Sequence, residues 1–584
     1  MINSNLDNNK IEGREQEVRF DLLSSSFFTV KKLLGLLGIG AIIFFFLVPI
    51  GKLIYLSLQS KTGISFGSYV EIFQQARTWK TLKDTLIIVL GSTFLSVLLG
   101  IMTAWLMAYT DIKHKKKLHM AMLLSFILPS YVLTLSWSSF MGTQGGMAYL
   151  LKLFNPDAIP WSMYSYGGII FVMGIHHFPL VYMLTVDVLK KIPRDLEWAS
   201  KASGAGKVKT FFFITFPMAL PGLIGGGLLA FLAGLDNFGI PAFLGIPVNI
   251  SVLSTLIYEE IIGFGPTSFA RGAVLSVILG VFAVIGTFLQ WLAVRKIKYS
   301  DTVIIDDNPR YHLGKYRKWI SALLWSFLIL ITVVPLLSMF VTSLKKAYGL
   351  PFKLNNLTFS HYRYILLENP KVWQSIQNSL MLSTTTFVVC LALGTWFAYV
   401  RVRKPSWFTK TAEIMIGIPF ALPGIVFALS MIFTWMEPIP GWKPGIYGTV
   451  RILFIAYVCR FLILQVRASM TAFVQIDGSM EEAAHIFGAN GWKKWTFVLL
   501  PLLLPGLLSG TFLVFLTALT ELTVSALLWS SGSQTIGVTI FSFEQAGNTE
   551  YSTALSCLIV GLIVAGMGVL QVVQRFQVEK GARS

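Results

Sequence analysis

Ile476-Asp-Gly-Ser-Met-Glu481-Glu482-Ala483-Ala484-His-Ile-Phe-Gly488-Ala489 is matched without a gap, 284 residues earlier, by Ile192-Pro-Arg-Asp-Leu-Glu197-Trp-Ala199-Ser-Lys-Ala-Ser-Gly204-Ala205. Each stretch places acids in the first turn of an Ala-containing segment, where they suit the positive end of a helix dipole. Each then stops at a glycine, the residue that enters the left-handed conformation of a helix C-terminus at little cost. Beyond the glycine a basic and aromatic segment, Lys207 to Phe216 or Lys493 to Leu500, runs to Pro217 or Pro501, which can open a following helix. The spacing predicts a helix–turn–helix in each half of a duplicated chain.

The duplication extends outward in both directions. Ser65-Phe66-x-x-Tyr69 recurs as Thr358-Phe359-x-x-Tyr362, and an offset of 294 relates Trp79 to Trp373, Leu86 to Leu380, Gly100 to Gly394, Ala104 to Ala398, Pro129 to Pro423 and Val132 to Val426. The change to 284 by Ile192 and Ile476 leaves the first half about ten residues longer around 141–165, as an insertion in a surface loop would. Six apolar runs precede a charged connector at 295–318 and six follow. An even number returns the chain to its starting side, so the halves are parallel repeats about an axis along the membrane normal.

The runs themselves decide the solvent. Of 584 residues 54% are hydrophobic and 13% charged, and the apolar stretches have the length of about twenty residues needed to cross a bilayer. They predict an all-α polytopic membrane protein of about twelve transmembrane helices, near 33–57, 85–109, 118–140, 166–189, 218–245, 271–294, 319–343, 379–400, 411–435, 448–470, 501–530 and 553–574. Continuous apolarity excludes a β-barrel, whose strands alternate. The net charge of +19 is topological: outside the spans, Lys and Arg fall about three to one on the side holding both termini and the two matched loops. That side is therefore cytoplasmic, and nucleic-acid binding is not indicated. The organisation expected is a tail at 1–32, a first transmembrane domain at 33–294 with its loop at 192–222, a linker at 295–318, a second domain at 319–575 with its loop at 476–506, and a tail at 576–584. The polar first thirty residues lack the short basic start of a cleavable signal.

Chemistry-bearing residues are few. Cys390, Cys459 and Cys557 are scattered within spans, without ligand spacing. His176 and His177 are adjacent and point about 100° apart on a helix, which disfavours a shared metal. No metal or cofactor site is expected in the chain. Gly204-Ala-Gly206-Lys207 approaches a phosphate-binding loop but has Lys201 in place of the first glycine and Val208 in place of Ser or Thr. Asp187, Asp236, Asn237, Arg451, Arg460 and Glu521 lie in or beside apolar runs, where polar groups usually face a cavity or a partner. Of these, Asp236, Asn237 and Glu521 are translocation-path candidates, and Asn237 and Glu521 are equivalent by the 284 offset. Their alternative role is interhelical bonding, including a salt bridge to Arg460.

At the matched loops the chain resembles the permeases of bacterial ABC importers, whose signature reads E-A-A, three residues, G and a later proline. Glu482-Ala483-Ala484-x-x-x-Gly488 fits in full, whereas the first copy has Trp198 and Ser200 in place of Glu and the second Ala. Fused two-half permeases for ferric iron also show patterns similar to Phe126-Ile-Leu-Pro129 with its following helix, to Ile418-Pro-Phe-Ala-Leu-Pro423-Gly, to Leu235-Asp236-Asn237-Phe238-Gly239 and to Leu519-Thr-Glu521. Related permeases for thiamine or aminoethylphosphonate share the architecture. The resemblance implies a non-enzymatic, multi-pass subunit of the cytoplasmic membrane, in contact with lipid. It also implies ATP bound by a separate ATPase in two copies and substrate delivered by an extracytoplasmic binding protein. Docking residues would be Glu197, Ala199, Gly204, Ala205, Glu481, Glu482, Ala483, Ala484, Gly488 and Ala489. A self-sufficient ion-coupled transporter is the alternative class; its embedded acids would be coupling sites and its loops dispensable.

Overall fold

The computed structural model describes residues 35, 37–60, 63–263, 265, 267–295, 308–436 and 445–581. The expected N-terminal tail, residues 296–307 of the 295–318 linker and the last three residues lie outside these bounds. Among the described residues the fold is helical, apart from a short antiparallel hairpin pairing Gln59–Ser60 with Gly63–Ile64. Ten helices among the described residues are long and apolar enough to cross a membrane. With one broken span in each half they make the twelve crossings, as two six-helix repeats.

The broken spans correct two expectations. The runs at 118–140 and 411–435 are not straight helices: Lys115–Ile127 and the helical segment from Ser130 meet at 96°, and Trp407–Ala421 meets Gly424–Trp435 at 106°. Pro129 and Pro423 stand at the breaks, where proline removes a backbone donor and clashes with the preceding turn. Two further corrections concern the fifth span of each half, which stops at Asp236 or Leu519 instead of continuing to 245 or 530. The chain then forms short helices, Gly239–Leu244 and Leu253–Ile262 in the first half, Ser525–Leu528 and Ile536–Gln545 in the second; Gly239–Val248 and Leu253–Ile262 meet at 71°, as in a re-entrant segment. The second span starts nine residues early, at Ala76.

Side chains repeat along with the helices. Ser57 and Tyr69 share a hydrogen bond of 2.8 Å and Ser343 and Tyr362 one of 2.7 Å. The Leu253 amide donates to Thr85 and the Ile536 amide to Ser379, both at 2.9 Å. Close packing of the second and fourth spans also recurs: a Cβ at Gly100 would stand 2.6 Å from Val181, and one at Gly394 would stand 2.9 Å from Gln465, the residue equivalent to Val181.

The halves interlock. Val48–Leu58 of the first half packs on Gly424–Trp435 of the second, with Phe44 and Trp435 ring centroids 5.8 Å apart, and Val334–Ser343 packs in return on Ser130–Met141. Ser125 and Thr332 close this seam with a 2.7 Å hydrogen bond. The largest buried apolar cluster therefore draws on both halves. Gly100→Val should lower stability by about 1–3 kcal/mol, because Val181 and the Tyr182 backbone leave it no room. Denaturant titration in detergent checks this, with Gly51→Ala, which meets nothing within 4 Å, expected to be neutral.

Candidate functional site

The two matched loops fold as the glycines require. Arg194–Ala202 and Gly478–Ile486 are short helices, and Gly204 and Gly488 follow them at φ +82° and +76°. The Ala205 and Ala489 amides then close the ends on the carbonyls of Ser200 and Ala484 at 3.1 and 2.9 Å. A side chain at the glycines would be strained in that conformation.

The ten expected docking residues divide between two faces. Glu197, Glu481 and Ala484 turn into the membrane domain, with the glutamates 3% and 8% exposed. Ala199, Gly204, Glu482, Ala483 and Gly488 are exposed, and Ala205 and Ala489 are half-buried. On the open face stand Trp198 in the first loop and Ile486 and Phe487 in the second, the last two 83% and 88% exposed. Such side chains, fixed on a held helix, leave an apolar patch on the open face of each loop.

Each buried glutamate is the root of its loop. Glu197 accepts from Thr215 at 2.9 Å and pairs with Arg310 at 2.8 Å. Glu481 pairs with Arg403 at 2.6 Å and Lys494 at 2.9 Å. Burial raises the Glu481 carboxyl, but the hydrogen bonds from Lys494 and Arg403 outweigh it and hold the group below the usual carboxylate range. The contribution of a lowered carboxylate is complete above its unfolded pKa and is lost as pH falls through the folded one. Amide-exchange protection across 478–488, corrected for intrinsic rates, should thus be flat from about pH 8 to 6 and collapse only below about pH 4.

Between the halves lies a cavity of about 550 Å³ whose walls include His176, His177, Asp236, Asn237, Thr287 and Arg467. Arg467 stands seven residues before the loop-side end of Val450–Val474, about 10 Å at helical rise. The cavity therefore extends toward the face that bears the loops. Asp236, 38% exposed at its side chain, ends the cavity by pairing across the halves with Arg460 at 2.8 Å and accepting from the Gly424 amide at 2.5 Å. Beyond it, Phe238, Phe243 and Tyr258 of the first half surround Phe541 of the second, with centroids 5.3–5.7 Å from it. Asn237 and Glu521 do the same job in each half: their side-chain oxygens accept from the Ile240 and Val524 amides at 3.0 and 2.7 Å. Asn237 also lines the cavity, and Glu521 is not among its lining residues.

His176 and Arg460 are equivalent by the 284 offset and serve the proline breaks. His176 Nδ1 donates to the Ser125 carbonyl at 3.1 Å; Arg460 donates to the Pro419 and Leu422 carbonyls at 3.4 and 3.1 Å. Ser125 and Pro419 are the residues whose helical donors Pro129 and Pro423 lack. Among the described residues no group of His, Cys, Asp and Glu could hold a metal ion. Arg310, Arg403, Lys494 and the aromatic closure are not marked by any motif in the sequence; the signal for the first three is a buried carboxylate in each loop, which needs a cation nearby.

The family pattern for the binding-protein-dependent transport system inner membrane component matches residues 63–299 and again 390–579. The chain belongs to this family. It is similar to the ferric transport system permease protein FbpB of Actinobacillus pleuropneumoniae, 26% identical over 92% of this chain and 77% of the relative. It is likewise similar to a putative ferric transport system permease protein, FbpB 1, of Haemophilus influenzae, 26% identical over 85% of this chain and 77% of the relative. A probable ABC transporter permease, y4fN, of Sinorhizobium fredii is 22% identical over 94% of this chain and 97% of its own length. The chain is thus a membrane-embedded, multi-pass ABC importer permease, a transport subunit and not an enzyme. Permeases of this kind work with an ATPase and a substrate-binding protein.

Arg460→Leu in this permease would leave the Pro419 and Leu422 carbonyls without their donor and the Asp236 carboxylate, held by the Gly424 amide, without its cation. A loss of about 3–5 kcal/mol is expected, measured as earlier unfolding in denaturant, with Asp236→Asn losing less because an amide oxygen can still accept from Gly424.

Proposed function

We propose that this permease imports ferric iron, released by an extracytoplasmic binding protein, and that two copies of a separate ATPase dock on it, one at the loop 192–222 and one at 476–506. Both termini then lie in the cytoplasm of a bacterial cell, and 33–294 and 319–575 act as the two transmembrane domains. The observation that carries this reading is the pair of short helices, equivalent by sequence, each rooted by a buried glutamate and presenting an apolar outer face. Closure of an ATPase dimer against two such helices would move the halves relative to one another. The names of the relatives in Actinobacillus and Haemophilus support iron as the substrate.

In this cycle Asp236 and Asn237 line the path at its closed end, and Glu521 shapes the equivalent turn of the second half. The exposed residues Trp198, Glu482, Ala483, Ile486 and Phe487 would meet the ATPases, while Glu197, Glu481 and Ala484 hold the helices in place.

The test is uptake of radiolabelled ferric iron and ATP hydrolysis in proteoliposomes containing the permease, its ATPase and iron-loaded binding protein. Gly488→Val, strained at φ +76°, and Glu482→Lys, which reverses charge on the open face, should each lower both rates by on the order of tenfold or more while the protein still inserts. Full coupling in both variants, or uptake without ATP, would contradict docking at these loops. Glu521→Ala, which removes the acceptor of the Val524 amide, should impair uptake more than ATP hydrolysis, and normal uptake would contradict a role for this turn in shaping the path.

A further inference from the structure

The two glutamate roots are equivalent, but the guanidiniums that hold them are not. Arg403 closes the helix Pro370–Arg403 and reaches both Glu481 Oε1 at 2.6 Å and the Ile476 carbonyl at 2.9 Å. The 294 offset that relates the second spans puts Tyr109 at the Arg403 position, so the first half has no cation there. Arg310, from the connector between the halves, reaches the corresponding acceptors. Its Nη1 donates to Glu197 Oε1 at 2.8 Å and to the Tyr109 hydroxyl at 2.9 Å, and its Nη2 donates to the carbonyl of Ile192, the equivalent of Ile476. The guanidinium lies 4.4 Å from the centroid of the Tyr109 ring, a cation–π distance. Arg310 and Glu197 are 5% and 4% exposed at their side chains.

The connector is seated to allow this. The Arg310 and Tyr311 amides both donate to the Tyr109 carbonyl, at 2.8 and 2.9 Å, and the Leu313 amide donates to Asp111 at 3.0 Å. From the loop side, Arg194 donates to the Asn308 carbonyl at 2.5 Å and the Lys201 ammonium stands 5.9 Å from the Tyr311 ring. The next helix begins at Arg317, seven residues after Arg310, and belongs to the second half.

We infer that Arg310 is a positioning residue for the first docking loop, and that residues 308–317 form part of the first ATPase platform. The first loop is thereby tied, through a short stretch of chain, to the half that carries the other loop. A shift of the second half pulls directly on the root of the first loop, whereas the second loop is held from within its own half. The inference rests on the docking role of the loops.

Hydrogen exchange on the full chain in nanodiscs, together with coupled ATP hydrolysis in the reconstituted transporter, tests it. Arg310→Ala should raise exchange in 194–204 on the order of tenfold while leaving 478–488 unchanged, and Arg403→Ala should do the converse. Arg310→Ala should also lower binding-protein-stimulated hydrolysis. Tyr109→Arg in the Arg310→Ala background reinstates the arrangement of the second half and should restore both readings to within about threefold of the parent. Arg310→Lys, without the planar fork, should restore less than Tyr109→Arg does. Unchanged exchange and coupling in Arg310→Ala would overturn the inference. So would a defect that spreads to 478–488 and is not rescued by Tyr109→Arg. If Arg403→Ala and Gly488→Val also leave hydrolysis coupled, the docking role itself fails; if they uncouple it and Arg310→Ala does not, only the role of the connector fails.

Discussion

A backbone carbonyl in hydrocarbon must find a donor, and this constraint organises the centre of the molecule. Pro129 and Pro423 break the third span of each half and withhold the amide that a continuous helix would offer to Ser125 and Pro419. The fourth span supplies the missing donors, through His176 in the first half and Arg460 in the second. A lone arginine at that depth would be costly, and Asp236 of the opposite half offsets its charge. The same carboxylate accepts from Gly424, the first residue beyond the second break. Two kinked helices, the seam between the halves and the closed end of the cavity are in this way set by one group of bonds.

Duplication preserved the tasks and let the residues diverge. The donor at the break is an imidazole in one half and a guanidinium in the other; the turn after the fifth span is closed by Asn237 or by Glu521; the loop glutamate is held by a connector arginine or by one from the second span. At the breaks and at the loop glutamates the acceptors are common and the donors differ; at the turns the backbone donor is common and the acceptor differs. The inter-half pair Asp236–Arg460 has no symmetric counterpart, since the equivalent residues are Thr520 and His176. The halves are similar in path and unequal in their charges.

The repeat, the number of crossings and the glycine-terminated loops were legible in the sequence because they rest on local signals: apolar runs of spanning length, a constant offset, and a glycine where a left-handed residue is needed. The breaks were less so. Proline is tolerated inside many membrane helices, so Pro129 and Pro423 alone do not say whether a helix bends or ends, and Pro179 stands inside an unbroken one. The turns after Asp236 and Leu519 were not legible because the apolar run continues through them while the helix ends. At the loops, the composition marked the right residues without separating the faces. Glu197 and Glu481 fall on the inner side because cations wait there, one of them 113 residues away in the chain. Only folding brings such a partner into view.

The central claim is that the halves enclose a path open toward the loop face and shut beyond Asp236, which the ATPases invert. Labelling of a single cysteine at Thr287, a cavity-lining position, by a membrane-impermeant maleimide tests it most directly. The native cysteines would first be replaced by alanine or serine. The account predicts reaction from the loop face alone in the resting transporter, and reaction from the opposite face once ATP closes the ATPase subunits with binding protein present. Equal labelling from both faces at rest, or no change in sidedness with ATP, would contradict it.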